Sequence, residues 1–267
     1  MENNENDVEL DPMLGQAEMT REDHELILSF LKKKKPKKIL EIGVSAGGTT
    51  CLLLDAIDKD AELFSVDLHT HYYRDKTKEI GYLAKDHYNP ERHPKWHAFF
   101  GKDIYACVEE IGNGIDFVVL DTVHIVPGEF LSFLSVFPFL DDKAVLVLHD
   151  LSLHILYQYE GRQSLALHVE NCNGLLFNAI FSRDKTLSEA TVPNCGAIVL
   201  DKTYVMDNLF MVINMLFTEW KYLPSNDILL GTLNLVRKHY PLQHSLLIEK
   251  AMILNVNRIQ TANSQRA

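Results

Sequence analysis

Residues 41–50 read EIGVSAGGTT, a glycine-rich turn that overlaps the end of the apolar run KILEIG (38–43) and leads into a segment with helical spacing from Gly47 to Ile57. A strand, a glycine turn and a helix in that order point backbone N–H groups at whatever sits over the helix start, a natural place for an anionic or polar ligand. Three ligands compete for the turn. Gly43 and Gly48 have the G-x-x-x-x-G spacing of a nucleoside-triphosphate loop, but Thr49 stands where that loop needs a lysine for the β- and γ-phosphates, which disfavours ATP hydrolysis. A dinucleotide turn reads G-x-G-x-x-G, and Ser45 occupies the place of its second glycine, where backbone must approach a pyrophosphate. The third option is an adenosine-bearing cofactor of another kind, and the rest of the chain bears on it.

Outward from the turn, strand and helix patterns alternate. ELFSVD (62–67), WHAFF (96–100), IDFVVLD (115–121) and KAVLVLHD (143–150) read as strands, with helices expected over 104–111 and along EFLSFLSVFPFL (129–140). Strands that are apolar throughout are buried on both faces, which predicts an α/β fold: a doubly wound, Rossmann-like, mostly parallel sheet whose ligands lie at the carboxyl ends of its strands. Beyond Asp150 the spacing predicts a helix over 164–180 and a late strand, GAIVLDK (196–202). Three apolar helical stretches then follow Tyr204. Their stripes suit core packing or a subunit contact, so a homodimer through the C-terminal helices is an expectation. The domain reading is a mobile acidic N-terminus (1–18), a main domain over 19–202 with its core at 38–202, and a helical C-terminal appendage over 203–260. The polar tail TANSQRA is expected to be mobile on composition.

The bulk properties narrow the function. The chain has 267 residues, 46% hydrophobic and 24% charged, an ordinary globular balance. Its formal charge of −11 disfavours nucleic acid as a partner, because that affinity comes from neutralising phosphates. No apolar stretch is long enough for a membrane span, and four scattered cysteines without C-x-x-C spacing suit reduced thiols, so a cytoplasmic location is expected. The run KKKKPKK (32–38) resembles a localisation tag, but it follows TREDHELILSFL, which starts with Thr20 as N-cap and Asp23 three residues on. Lysines in a last helical turn complement the helix dipole, and Pro36 then ends the helix.

Glu41-Ile-Gly43-Val-Ser-Ala-Gly47 resembles the first motif, E/D-x-G-x-x-x-G, of the class I S-adenosylmethionine-dependent methyltransferases. The similarity continues over roughly 38–202: Asp67 closes the second strand, where the family binds the ribose diol, and Gly101-Lys102-Asp103 follows the third, where it contacts adenine. The late strand GAIVLDK matches the family's reversed final strand. The resemblance therefore implies S-adenosylmethionine as cofactor, with Glu41, Gly43, Ser45, Gly47, Asp67, Lys102 and Asp103 as its binding residues.

Methyl transfer starts from an activated donor, so the protein must align the acceptor and remove or mask its proton. LDTVH (120–124) and LHD (148–150) resemble a small-molecule branch of the family that modifies sugars and antibiotics. The resemblance implies O-methylation of a small polar acceptor, and places a divalent metal at Asp121, His149 and Asp150. Magnesium prefers oxygen ligands, whereas a His/Asp mixture suits a transition metal, so the cation's identity stays open. Asp121 and His124 are the candidate catalytic residues, His124 as general base because an ordinary histidine titrates near neutrality. Strand-end aspartates also cap helices, and His124 could equally bond its own loop. The histidines of DLHTHYYRDKTKE and DHYNPERHPKWH lack metal-ligand spacing and read as solvated or lid residues, with Tyr72, Tyr73 and Arg74 as candidates for an acceptor wall. Two alternatives remain: a metal-independent enzyme using His124 or His149 as base, and a non-catalytic protein that binds cofactor, or nothing, and assembles through its C-terminal helices.

Overall fold

The computed structural model of the chain describes residues 19–159, 161 and 172–265. The acidic N-terminus over 1–18 and the first part of the helix expected at 164–180 lie outside these residues.

The first element is α1 (Arg21–Lys34), set by a complete capping box. The Asp23 N–H donates to Thr20 Oγ1, and the Thr20 N–H donates back to the Asp23 carboxylate. Lys32, Lys33 and Lys34 fill its last turn, so the lysine run ends a helix as its spacing predicts. The strands are β1 (Lys38–Ile42), β2 (Glu62–Asp67), β3 (Lys95–Phe100), β4 (Ile115–Leu120), β5 (Leu140–Leu148), β6 (Asp184–Leu187) and β7 (Gly196–Val199). They form one seven-stranded sheet in the order β3-β2-β1-β4-β5-β7-β6. The first five strands are parallel, and β7 runs antiparallel to both β5 and β6.

Register fixes the site. Ile42 pairs with Val66 on one side and Leu120 on the other, and Leu120 pairs with Leu148. Gly43, Asp67, Asp121 and His149 therefore leave the sheet at one level, along its carboxyl edge.

Helices cover both faces. α1, α2 (Gly48–Ala56) and α3 (Tyr82–His87) lie on one side, where Ile27, Leu31, Leu52 and Leu53 pack on Ile39, Phe117 and Val147. The other face carries α4 (Val108–Ile111), α5 (Gly128–Val136) and, after the α6 (Leu153–Tyr159) that follows β5, α7 (Cys172–Ala179). The chain closes with α8 (Lys202–Asp207), α9 (Phe210–Met215), α10 (Asn226–His239) and α11 (Leu242–Ser264). Val236, Ile248 and Met252 of the last two helices share one buried cluster with Phe130 and Phe137, so the C-terminal helices join the domain core. Gly231 of α10 sits flat on the Tyr105 ring, where a Cβ would come within 2.0 Å. Tyr240 Oη donates to the Leu134 carbonyl at 2.7 Å.

Four details differ from the sequence expectation. β6 was not foreseen, because a four-residue, mostly exposed edge strand carries no apolar period. β5 ends at Leu148, so His149 and Asp150 stand beyond the strand rather than within it. The helix expected over 104–111 is a 3₁₀ turn (Ile104–Ala106) followed by α4. The polar tail expected to be mobile continues α11 to Ser264. No described helix is long and apolar enough to cross a membrane.

Candidate active site

The glycine turn is built from the protein side outward. Gly43 has φ +92°, and a Cβ there would fall 1.6 Å from the Asp121 carbonyl oxygen, so β1 and β4 meet only because this position lacks a side chain. Gly47, at φ +98°, caps α2, and its open face is filled by Ala84 and Gly81 at 3.1 Å. Glu41 is fully buried beneath the turn, where its Oε2 accepts from Thr50 Oγ1 at 2.8 Å and Ser65 Oγ at 2.7 Å. Burial pushes its carboxyl up to about 7, against the pull of the two hydroxyls. Glu41 thus braces the turn from inside.

Asp67 is also turned inward. Its Oδ2 accepts from the N–H groups of Val44 (2.9 Å) and Ser45 (3.1 Å), and its Oδ1 from that of His69 (2.8 Å). The carboxylate holds the shape of the turn, and its remaining lone pairs are what it can offer a ribose. Ser45 itself has φ +53°, and its Oγ is buried without a partner, as is Thr122 Oγ1 at the end of β4. Two orphaned hydroxyls at the carboxyl edge suit a polar ligand lying across β1 and β4. Further along, Asp103 caps the following 3₁₀ turn through the Tyr105 N–H, and burial raises its carboxyl. The Lys102 ammonium lies over the Phe99 ring.

Beyond β4 and β5 the acids and histidines converge. Asp121 Oδ1, His124 Nε2 and Asp150 Oδ2 form a group whose ligand atoms lie within 4.8 Å of one another. His124 Nε2 is 3.1 Å from Asp150 Oδ2 and 3.7 Å from Asp121 Oδ1. Each aspartate is held from behind by its other oxygen. Asp121 Oδ2 lies 3.2 Å from His149 Nδ1, and Asp150 Oδ1 accepts from Asn194 Nδ2 at 2.6 Å. His124 and Asp150 both have positive φ, 59° and 57°. Backbone strain in non-glycine residues is kept where the surroundings impose it, commonly at functional sites.

The two histidines occupy places that their sequence positions do not distinguish. His124 joins the open group with the aspartates. His149 is buried behind it, between Asp121 and Asp23, with its Nε2 3.7 Å from Asp23 Oδ2. Burial would lower the His149 pKa, but the charges of Asp121 and Asp150, with contacts to Asp121 and Asp23, raise it well above the ordinary value. Burial likewise opposes the His124 imidazolium, and Glu129, Asp150 and Asp121 outweigh it, raising the pKa to about 9. At neutral pH that shift favours the protonated form of His124. To serve as base or ligand it must first lose that proton, which a cation shared with two aspartates would drive.

Sequence reasoning missed Glu129, Asp23 and Asn194. Glu129 reads as an ordinary acid in the first turn of α5, yet it is fully buried: its Oε1 accepts from the His124 N–H and lies 3.5 Å from His124 Nδ1. A carboxylate on one ring nitrogen directs the other toward a ligand, as behind many metal-bound histidines. The only signal was an acid opening a helix otherwise apolar on nearly every position.

The β2–β3 insert is tied down on both sides. Its bridge between His71 and Glu79 stands near the turn, because Gly81 N–H donates to the Ser45 carbonyl and Gly101 N–H to that of His69. Arg74 lies over the Tyr73 ring, and Tyr72 packs on Tyr73 and Tyr82. Of the insert's histidines, His87 Nε2 and His93 Nε2 each lie 3.0 Å from Asp55 of α2, which also takes Arg92. His93 Nδ1 accepts the Asn89 N–H, so its Nε2 carries the proton and faces Asp55 as a donor. This group fastens the insert to α2 and is a poor cation site.

Residues 40–151 match a family model described as a methyltransferase domain. Among solved structures, a putative caffeoyl-CoA O-methyltransferase from Staphylococcus aureus shares the fold with a TM-score of 0.52 at 14% identity, over 72% of this chain and 93% of that one. Cofactor-bound Rv0187 from MTB gives 0.51 at 12% identity, over 72% and 86%. No curated protein matches the sequence. A seven-stranded sheet with β7 reversed between β5 and β6, and a glycine turn after β1, is the class I methyltransferase fold. Residues 40–151 thus match a methyltransferase domain, and the fold of the chain is similar to that of O-methyltransferases of known structure.

Proposed function

We propose that the protein transfers the methyl group of S-adenosylmethionine to an oxygen of a small polar acceptor, such as a sugar or secondary-metabolite hydroxyl, using a divalent cation held by Asp121, His124 and Asp150. The observation that carries this reading is the placement of Asp121 Oδ1, His124 Nε2 and Asp150 Oδ2 in one open group, directly beside the turn where Gly43 touches Asp121. Two carboxylate oxygens and one imidazole nitrogen fit magnesium with retained waters, or a transition metal such as manganese. A cation bound there would lower the pKa of an acceptor hydroxyl and orient it. In this reading Asp121 and Asp150 hold the charge at the carboxyl edge, and Glu129 aims the His124 ring. Ser45, Asp67 and the Lys102-Asp103 pair line the cofactor side. With the hydroxyl proton released to solvent water, attack of the oxygen on the sulfonium methyl would form the C–O bond and break the S–CH₃ bond, leaving a methyl ether and S-adenosylhomocysteine. The sugar-like acceptor class rests on the resemblance of LDTVH and LHD to that branch.

Calorimetric titration of the folded, cofactor-free protein with S-adenosylhomocysteine, with and without Mg²⁺ or Mn²⁺, tests the reading. Binding with a cation-dependent change in affinity or heat is expected. Turnover of an accepted hydroxyl compound that ignores chelator would select the metal-independent alternative. No binding under any condition would favour a non-catalytic role.

A further inference from the structure

Asp23 lies outside the matched methyltransferase segment, on the N-terminal helix, yet it reaches the back of the site. It is 1% exposed, and its Oδ2 is shared between Thr20 (N–H at 3.1 Å, Oγ1 at 2.8 Å) and His149 Nε2, which lies 3.7 Å away as an ion-pair contact and also has Asn194 Nδ2 at 3.4 Å. Its Oδ1 is buried with no partner. A capping-box acid ordinarily works at the surface, and burying a carboxylate with one oxygen unsatisfied is costly. The cap alone does not require that burial. What the burial achieves is a line of three side chains from α1 to the end of β4: Asp23, His149, Asp121.

We propose that Asp23 is a positioning residue for the cation group: by facing His149 Nε2 it sets the ring so that Nδ1 holds Asp121 Oδ2 and leaves Asp121 Oδ1 turned toward His124 and Asp150. The inference rests on the cation reading above. Asn194 does the corresponding work for Asp150, holding its Oδ1 while Oδ2 faces His124. The N-terminal helix thereby becomes part of the site, although its sequence looks like a surface helix with a good cap.

The test uses Mn²⁺ binding to the full chain by calorimetry, with S-adenosylhomocysteine binding and urea unfolding as parallel readouts. Asp23→Asn keeps an acceptor for the Thr20 N–H and removes the charge facing His149. It should weaken Mn²⁺ by about tenfold or more and leave S-adenosylhomocysteine affinity unchanged. Thr20→Ala damages the cap and keeps the carboxylate, so it should lower stability and leave Mn²⁺ affinity within about twofold. In a His149→Gln background, Asp23→Asn should have no further effect on Mn²⁺, since its route is gone. Wild-type Mn²⁺ affinity in Asp23→Asn, or equal weakening by Thr20→Ala, would overturn the inference while leaving the cation reading intact. A wild-type protein that binds S-adenosylhomocysteine but no Mn²⁺ would overturn both. Should Asp23→Asn not fold, Asp23→Glu keeps charge and cap but moves the carboxylate by one methylene, and unchanged Mn²⁺ affinity there would count against the inference.

Discussion

His124 Nε2 lies 3.1 Å from Asp150 Oδ2, and both residues are held in the left-handed backbone region. Neither conformation is one an L-residue adopts freely, and each costs on the order of 1–2 kcal/mol. The two loops are spent on bringing these side chains together, rather than on the simplest chain reversal. Asp150→Ala is expected to abolish Mn²⁺ binding and turnover and to leave S-adenosylhomocysteine affinity within about twofold, because Asp150 follows β5, two strands from the β1 that carries the glycine turn, and only Asp121 of the group meets Gly43. Calorimetry on the variant checks it. Retained Mn²⁺ affinity would remove Asp150 from the ligand set.

Asp67 presents a different expectation. Its carboxylate accepts three backbone N–H groups, from Val44, Ser45 and His69. Asp67→Ala strands these donors, a loss on the order of 1–3 kcal/mol for each one that water does not reach. We expect lower stability in urea together with weaker S-adenosylhomocysteine binding, since the turn's shape and the cofactor's seat depend on the same carboxylate. Undiminished affinity in a folded variant would mean that the turn, and not Asp67, provides the binding.

Two glycines with similar φ separate steric need from backbone preference. Gly43 has φ +92° with the Asp121 carbonyl oxygen 1.6 Å from a would-be Cβ, whereas Gly114 has φ +82° with nothing within 4 Å. Gly114→Ala should cost only the left-handed penalty, about 1–2 kcal/mol. Gly43→Ala must also part β1 from β4, and we expect loss of folding or a destabilisation several times larger. Comparable urea midpoints for the two variants would contradict the packing described here.

Glu41 makes stability depend on pH in a direction opposite to that of a paired surface acid. Its carboxyl is raised from 4.5 to about 7 by burial, so the folded protein keeps a proton that the unfolded chain releases. Its contribution is greatest below about pH 4.5 and is lost as pH rises toward 7, a change of about 3 kcal/mol. Glu41→Gln keeps the acceptor for Thr50 and Ser65 and cannot ionise. The stability difference between wild type and Glu41→Gln, followed by urea unfolding, should therefore move in favour of the variant between pH 4.5 and 7 and level off above. A difference independent of pH would show that Glu41 is charged in the folded state.

The order of elements was legible because apolar period is local. KILEIG, ELFSVD and IDFVVLD became β1, β2 and β4 within a residue of their expected ends, and Thr20 and Asp23 made the cap their spacing predicted. Since strands of this type must pair in parallel and end at one edge, the sequence also determined that Gly43, Asp67, Asp121 and His149 would meet. It did not determine which way their side chains face. Two histidines at strand ends look alike in one dimension; register and the positive φ of His124 put it in the open group with Glu129 of α5 behind it, while α1 and the 190–194 loop brought Asp23 and Asn194 to His149. Asp23 and Asn194 come from distant parts of the chain, and no local pattern distinguishes a buried carboxylate such as Glu129 from a solvated one. The exact balance between ligand, support and cap is a product of long-range packing, where neighbours set both charge and direction.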